Sequence, residues 1–232
     1  MSAGARSGTL EEGQVRAMFD RIAGPYDLMN SVMTAGLHHR WRERAADLAR
    51  VGPGSRALDV ATGTGDLAIE LASRGAEVVG SDFSEGMLDV AREKAPALTW
   101  EQGNALALPY PDASFDASTV GFGARNFSDL AQGMREMARV VRPGGRVVVL
   151  EITTPQKPPL STFFSLWFDR IVPLMGKLAA EPEAYTYLPS SVKRFPGPSE
   201  LGGVMAAAGL ADVRWILTAG GIIALHSGTR ER

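Results

Sequence analysis

The sequence predicts an α/β fold with a mostly parallel sheet and helices on both of its faces. From residue 56 onward, short strand-type runs alternate with helix-type runs, which is typical of parallel strands joined by crossover helices. The run 146–152 is apolar through its middle, as a strand buried on both faces should be. With 232 residues, the chain can form one large domain, or one domain with additions.

The first fifty residues read as helical. Val15, Met18, Phe19 and Ile22 recur at i, i+3, i+4 and i+7, the spacing of one helix face. A second helix is predicted over 38–50 and is ended by Gly-Pro-Gly. We therefore expect residues 1–50 to form a helical cover that supplies part of the substrate site, and residues 51–232 to form the domain built on the sheet.

The remaining elements follow the alternation in chain order. The predicted strands are 56–60, 77–81, 98–102, 115–120, 146–152, 212–218 and 222–227. The predicted helices between and after them are 67–74, 86–95, 130–140 and 200–208. Ala-Gly-Gly joins the last two strands and predicts a closing antiparallel hairpin. Residues 155–196 are rich in proline and aromatic residues, and we expect them to form an insertion over one end of the sheet.

Composition excludes several classes of function. Twenty-four basic and 26 acidic residues give a net charge of −2, which argues against nucleic-acid binding. The chain has no cysteine and three histidines, so we expect no disulfide and no metal site. The apolar runs are too short to span a bilayer, which predicts a cytoplasmic protein. Residues 160–180 are apolar enough for a lid, or for transient contact with the inner face of the membrane.

A glycine turn follows the first predicted strand and carries the first chemical signal. Thr62, Gly63 and Gly65 lie between that strand and a helix, where glycines let a ligand approach the backbone. Asp82 follows the second strand, where a carboxylate can accept hydrogen bonds from ribose hydroxyls. The pattern predicts a nucleoside-binding site, with a tight turn capped by Asp66 as the alternative. The turn alone leaves NAD and S-adenosylmethionine open.

Later segments carry a resemblance. Gly103-Asn104-Ala105 follows the third strand, Phe115-Asp116 opens the fourth, and Pro143-Gly144-Gly145 precedes the fifth. This series resembles the Rossmann-like, seven-stranded S-adenosylmethionine-dependent methyltransferases. The resemblance implies S-adenosylmethionine as the cofactor, with Asp82 at its ribose and the Asn104-Ala105 loop beside its adenine. The Pro-Gly-Gly turn reads as a structural bend.

Two longer stretches resemble the signatures of the ubiquinone/menaquinone biosynthesis C-methyltransferases. The first comprises Tyr26-Asp27-Leu28-Met29-Asn30 with Met33, Thr34, His38 and Trp41, and the second is the stretch 139–153. The family usually has serine where Thr34 and Thr153 stand, and both departures keep a hydroxyl. Residues 123–127 look like a third family segment. Some members place a serine near Gly121 in the cofactor site, to which glycine offers no side chain.

The resemblance implies C-methylation of a polyprenylated hydroquinone ring. The short N-terminal extension and the overall length resemble the menaquinone branch, with demethylmenaquinol as the acceptor. The alternatives are the benzoquinol step of ubiquinone biosynthesis and methylation of another small molecule. A non-catalytic S-adenosylmethionine-binding protein and a nicotinamide oxidoreductase are further alternatives.

The reaction needs a ring hydroxyl to lose its proton, which costs about 4 kcal/mol at pH 7 for a phenol of pKa ~10. Arg125 can stabilise the phenolate as a fixed cation, and Asn126 can donate to the same oxygen. The alternatives are an ion pair for Arg125 and a helix cap for Asn126. Asp27 is a candidate base, and His38 is a candidate base, a donor or a packed residue. Tyr26 and Asn30 lie on the substrate side of the cover.

The aromatic insertion predicts where the prenyl tail binds. Each buried CH₂ contributes roughly 0.8 kcal/mol, so one or two prenyl units in a groove suffice. The residues spaced to make such a surface are Phe163, Phe164, Trp167, Phe168, Ile171, Leu174 and Met175. The alternatives for this segment are core packing and a homodimer interface. His226, in the closing hairpin, receives no role.

Overall fold

The computed structural model describes residues 11–155, 158–167, 170 and 182–231, without the side chains of 163, 165 and 182–186. One seven-stranded sheet has the order β3-β2-β1-β4-β5-β7-β6. Strands β1 to β5 pair in parallel, and β7 is antiparallel to both of its neighbours. The strands are β1 Arg56–Val60, β2 Glu77–Asp82, β3 Thr99–Gln102, β4 Phe115–Gly121, β5 Val141–Ile152, β6 Leu210–Thr218 and β7 Ile223–Arg230. The predicted mostly parallel sheet with a closing hairpin is confirmed.

Helices cover both faces of this sheet. They are α1 Glu12–Ile22, α2 Tyr26–Thr34, α3 Leu37–Ala49, α4 Asp66–Ala72, α5 Glu85–Lys94, α6 Leu130–Val140, α7 Leu160–Leu166, α8 Pro182–Arg194 and α9 Pro198–Ala207. Side chains of β5 alternate between the two layers: Val147 and Val149 pack with residues of α6 and α9, whereas Val148 and Leu150 pack with residues of α3 and α4. Burial on both faces explains why this strand is apolar from Val147 to Leu150.

The N-terminal helices pack in two different places. Helix α1 buries Val15, Met18 and Ile22 in a small cluster with Met87 of α5 and Tyr187 of α8. Helix α3 instead buries Ala45 and its neighbours in the main core beneath the sheet. Helix α3 therefore packs as part of the sheet's own helical layer, while α1 lies over the end of the sheet where β2 leads into α5.

Two local predictions differ from the structure. Strand β5 begins at Val141, because Val141 pairs with Phe115 before the register shifts to Arg146 opposite Ala117. The Pro-Gly-Gly bend produces this irregularity, and a Cβ at Gly145 would lie 2.4 Å from the Asp116 carbonyl oxygen. The predicted Asp66 cap is wrong: Gly65, with φ +86°, occupies the N-cap of α4 and Asp66 is the first helical residue.

The segment after β5 is described in part. Helix α7 covers the start of the predicted insertion and α8 covers its end. Phe168, Ile171, Leu174 and Met175 lie outside the described residues. Across the described ranges, no helix is long and apolar enough to cross a membrane.

Candidate functional site

A first pocket lies at the carboxyl ends of β1, β2 and β4, where ligands bind in open α/β sheets. Its empty space, open mouth included, is about 900 Å³. It is lined by the predicted cofactor residues Thr62, Gly63, Asp82, Asn104, Ala105 and Gly121. The turn after β1, the end of β2 and the loop after β3 are therefore brought together, as expected from their positions after parallel strands.

Backbone hydrogen bonds hold the glycine turn to the end of β2. The Gly63 N–H donates to Asp82 Oδ2 at 2.8 Å, and the Ser84 N–H donates to Asp82 Oδ1 at 2.9 Å. Gly63 has φ +57°, and no atom lies within 4 Å of where its Cβ would be. The turn thus presents bare backbone to the pocket. Each Asp82 oxygen keeps a lone pair that can accept from a ribose hydroxyl.

Gly65 is placed differently from its prediction as a cofactor contact. A Cβ on Gly65 would lie 2.4 Å from Trp100 Cη2 and 3.2 Å from the Ala91 Cβ. The glycine therefore makes room for the Trp100 ring behind the turn. Its positive φ of 86° also suits glycine at the start of α4.

Asp59, which sequence reasoning missed, lines the floor of the first pocket. Its two oxygens accept hydrogen bonds from Thr62 Oγ1 and Thr119 Oγ1, both at 2.6 Å. Burial raises the pKa of Asp59 to about 6, and burial likewise raises the pKa of Asp82 to about 6. An acid between Leu58 and Val60, in the apolar part of β1, was the available sequence signal.

Helix α1 closes one end of the first pocket. Asn104 accepts from the Leu106 N–H at 2.8 Å and donates from Nδ2 to Glu12 Oε1 at 2.9 Å. Phe19 of α1 and Phe83 after β2 form an apolar wall, with their ring centroids 6.3 Å apart. An apolar wall beside Asn104 fits a purine base. Glu12 and Phe19 are 92 and 85 residues from Asn104, so no local sequence pattern indicated them.

A second pocket adjoins the first and is mostly apolar. Its empty space, open mouth included, is about 1180 Å³. Tyr26, Arg42 and Phe122 line both pockets, so the two spaces share a wall. The predicted substrate residues that line the second pocket are Tyr26, Asn30 and Trp167, with Phe164 beside them. The side chain of Phe163 lies outside the described residues.

Arg125 lies in the wall of the second pocket and is bound to a buried carboxylate. Its guanidinium pairs with Glu151 Oε1 at 2.8 Å and also donates to the Phe122 carbonyl oxygen. The alternative reading of Arg125 as an ion-paired residue is therefore what the structure shows. Burial lowers the pKa of Arg125, but Glu151 together with Tyr26 and Tyr187 raises it by more, so the pKa of Arg125 lies above its usual range. Within the described part of the chain, its buried Nε has no hydrogen-bond partner.

Asn126 lines the first pocket, although Arg125 beside it lines the second. The two side chains therefore diverge from the 3₁₀ turn Ala124–Asn126 instead of meeting at one oxygen. Asn126 Oδ1 accepts from the Tyr187 hydroxyl at 3.1 Å. Its alternative role as a helix cap is wrong, because Asp129 caps α6 by accepting from the Gln132 N–H.

His38 and Asp27 occupy different environments. His38 is buried, lines the second pocket, and has Nε2 3.2 Å from Ser31 Oγ. Asp27 accepts from Thr64 Oγ1 at 2.6 Å and from Lys94 Nζ at 2.7 Å. Asp27 is not among the described residues that line either pocket. It ties α2 to the glycine turn and to the end of α5.

His226 is buried between β7 and the start of α9, where its Nε2 lies 2.9 Å from the Pro198 carbonyl oxygen. His226 lines neither of the two pockets, which agrees with a packing residue.

The sheet order, the nucleoside pocket at the strand ends and the adjoining apolar pocket define a Rossmann-like methyltransferase. The solved structure of the [4+2]-cyclase SpnF matches this chain with a TM-score of 0.73, over 96% of this chain and 98% of that one. At 19% identity, that likeness speaks for the fold alone.

The sequence comparisons specify the family. The model of the ubiE/COQ5 methyltransferase family matches residues 7–230. A demethylmenaquinone methyltransferase of Thermus thermophilus is 48% identical over 220 residues, covering 92% of this chain and all of that protein. One of Deinococcus radiodurans is 49% identical over 218 residues, covering 90% of both. The chain belongs to the ubiE/COQ5 methyltransferase family. It is a methyltransferase that uses S-adenosylmethionine as methyl donor.

Proposed function

We propose that this protein methylates a ring carbon of a prenylated hydroquinone, converting demethylmenaquinol to menaquinol in menaquinone biosynthesis. The observation that carries the proposal is the wall of Tyr26, Arg42 and Phe122 shared by the cofactor pocket and an apolar pocket. A flat ring in the second pocket would lie next to the cofactor where these three residues border both spaces. The names of the two relatives favour the naphthoquinol over the benzoquinol.

The first pocket fits the cofactor in shape and charge. The open space at Gly63 admits the ligand against the backbone, and Asp59 and Asp82 suit a sulfonium-bearing nucleoside. When bound, S-adenosylmethionine supplies an electrophilic methyl group and leaves as S-adenosylhomocysteine. The acceptor ring exchanges one hydrogen for that methyl group, and one proton is released overall. Holding the two reactants in line contributes on the order of 7–11 kcal/mol.

Residues of the second pocket favour the electron-rich phenolate form of the acceptor. Arg125 is a fixed cation in the wall of this pocket, and its charge can stabilise a phenolate oxygen there. His38 adds a polar group to the same pocket. Asn126 lines the cofactor pocket, and we assign it to positioning the cofactor. For Asp27, bound to Thr64 and Lys94, we propose a positioning role in place of the predicted base.

The tail of the acceptor extends along the apolar part of the second pocket. Phe164, Trp167, Leu188 and Ile222 line this part, and Leu37 lies at its rim with 45% of its surface exposed. The nearby Leu28 and Val32, one turn apart on α2, are more than 60% exposed. These residues support transient contact of a cytoplasmic enzyme with the membrane that holds the prenyl chain. Co-sedimentation with lipid vesicles of wild type and Leu28→Ser/Val32→Ser tests this contact.

The function is tested by transfer of labelled methyl from S-adenosylmethionine to reduced short-chain demethylmenaquinone and to the matching benzoquinol. Labelled menaquinol is the expected product. Cofactor binding without transfer to either acceptor would overturn the proposal in favour of another acceptor or a non-catalytic binder. Transfer to the benzoquinol alone would move the protein to ubiquinone biosynthesis. Sedimentation of the active enzyme tests the predicted homodimer.

Arg125→Lys tests the proposed cation while keeping a charge beside the buried Glu151. Lysine lacks the Nε–H and the planar fork, so we expect kcat to fall roughly 10- to 100-fold with cofactor affinity unchanged. Arg135→Lys, on the exposed side of α6, is the matched control. Equal turnover rates for both variants would remove Arg125 from the chemistry.

A further inference from the structure

Arg42 stands where the two pockets meet. It lies on α3 one turn after His38, lines both pockets and is only 7% exposed. Its guanidinium carbon lies 5.6 Å from the centroid of the Phe122 ring. Its NH1 is 3.3 Å from Asp66 Oδ2, on the first residue after the glycine turn, and it also contacts His38 Nδ1. One side chain thus joins the cofactor turn to a ring in the acceptor pocket.

The contact with Arg42 decides which nitrogen of His38 carries the proton. A guanidinium has donors and no acceptor, so His38 Nδ1 must present its lone pair to Arg42. In the neutral ring, the proton then resides on Nε2, the atom 3.2 Å from Ser31 Oγ. Both ring nitrogens are therefore committed, Nδ1 as acceptor and Nε2 as donor. No lone pair is left on His38 to take a proton from the substrate.

The charges around His38 keep the ring neutral. Burial of the ring is the largest cause that lowers the pKa of His38, followed by the charges of Arg42 and His39 on the same helix. Together these causes bring the pKa to about 4. Asp66 of α4 and Asp27 of α2 act in the opposite direction without restoring it. Arg125, which lines the same pocket from the turn after β4, is ion-paired with the buried Glu151.

We propose that Arg42 is a positioning residue: it fixes His38 as an Nε2–H donor that exchanges its partner Ser31 Oγ for the acceptor's ring oxygen, and it ties this donor to the cofactor turn through Asp66. The inference rests on the proposed function for the identity of the ring oxygen. It assigns His38 to donation and removes it as a base. It also makes the geometry of the acceptor pocket depend on the same turn that holds the cofactor.

The tautomer can be measured directly, because the chain has only three histidines. In the ¹⁵N-histidine NMR spectrum of the wild-type protein, assigned with His38→Gln, we expect His38 as the Nε2–H tautomer and no titration between pH 5.5 and 8. In Arg42→Met, we expect a mixture of tautomers and a His38 pKa higher by about one unit or more. Arg44→Met, an exposed arginine of the same helix, should leave both unchanged. An Nδ1–H tautomer in the wild-type protein would overturn the proposal whatever the acceptor is.

Kinetics separate the donor from a base. His38→Gln keeps an amide N–H and should turn over at least roughly ten times faster than His38→Ala, whereas equal losses in both would favour a base. Arg42→Lys keeps a charge beside Asp66 and should lose less activity than Arg42→Met. For each variant, cofactor affinity and thermal unfolding are measured, which identifies any variant that has lost activity because it is unfolded. A wild-type protein with no transfer to any quinol would overturn the proposed function while leaving the NMR result to stand.

Discussion

The two pockets share a wall but are built in different ways. The cofactor pocket is made largely of turns at the ends of adjacent strands, and in its Gly63–Asp82 contact the backbone N–H of Gly63 donates to the Asp82 carboxylate. The acceptor pocket gathers side chains from α2, α3, the turn after β4, α7 and the start of β7. The first therefore depends on backbone geometry, and the second depends on how distant elements pack. Substitutions should separate the two, except at the three residues that line both.

The largest effect is expected at Asp82, on which the glycine turn depends. In Asp82→Asn, one of the two N–H donors from Gly63 and Ser84 loses its acceptor, and the charge facing the ribose disappears. We expect cofactor binding to weaken by about 2–3 kcal/mol, or roughly 30- to 150-fold, by isothermal titration calorimetry. Asp89→Asn, at an exposed position of α5, is the control. Unchanged affinity in Asp82→Asn would show that the turn holds the cofactor without this carboxylate.

Trp41 and Phe122 test the shared wall itself. Trp41 lines the acceptor pocket alone, whereas Phe122 lines both pockets. Trp41→Ala should raise the acceptor KM roughly tenfold, about 1.4 kcal/mol, with cofactor affinity unchanged. Phe122→Ala should weaken both ligands. If both variants affected both ligands equally, the two pockets would be one energetic unit and the distinction between them would fail.

A smaller effect is expected from pH. The folded-state pKa of about 6 for Asp59 lies above its ordinary value of 3.8, so the folded protein binds this proton more tightly than the unfolded chain. The associated stability is fully present below pH 3.8 and is lost as pH rises through 6. From pH 7 to pH 5, the cofactor-free protein should gain about 1 kcal/mol from this group.

Two buried histidines oppose that trend, since burial lowers the pKa of His38 and of His226. The free energy of unfolding is therefore compared between wild type and Asp59→Asn at each pH. We expect the free energy of unfolding of the wild type, relative to that of Asp59→Asn, to rise by about 1 kcal/mol from pH 7 to pH 5. A difference that is flat with pH would mean that Asp59 stays ionised in the folded protein.

The smallest effect is expected at Asp27, which is only partly buried. Asp27→Asn weakens the contact with Lys94 and should cost less than about 1 kcal/mol of stability, with turnover reduced less than roughly tenfold. Glu85→Gln, which breaks an exposed ion pair with Arg92 on the same α5, is the control. If turnover instead fell by roughly two orders of magnitude or more, Asp27 would be restored as the base.

Errors in the sequence predictions cluster where contacts are long-range. Asp66 looked like a helix cap because it opens a helix, but Arg42 and Lys94 reach its carboxylate from two other helices. Although burial would raise the pKa of Asp66, these cations lower it overall. Arg125 and Asn126 looked like partners because they are adjacent, but a tight turn directs them to different pockets.

The sequence by itself determined the strands, the crossover helices, the closing hairpin and the glycine turn with its acidic partner. These features follow from periodicity and from backbone conformations that few residues tolerate, both of which are local. Only the tertiary structure decided that Gly65 makes room for Trp100, that Glu151 neutralises Arg125 and that Arg42 joins the two pockets. Ion pairs and shared walls join residues distant in the chain, and packing alone brings their side chains together.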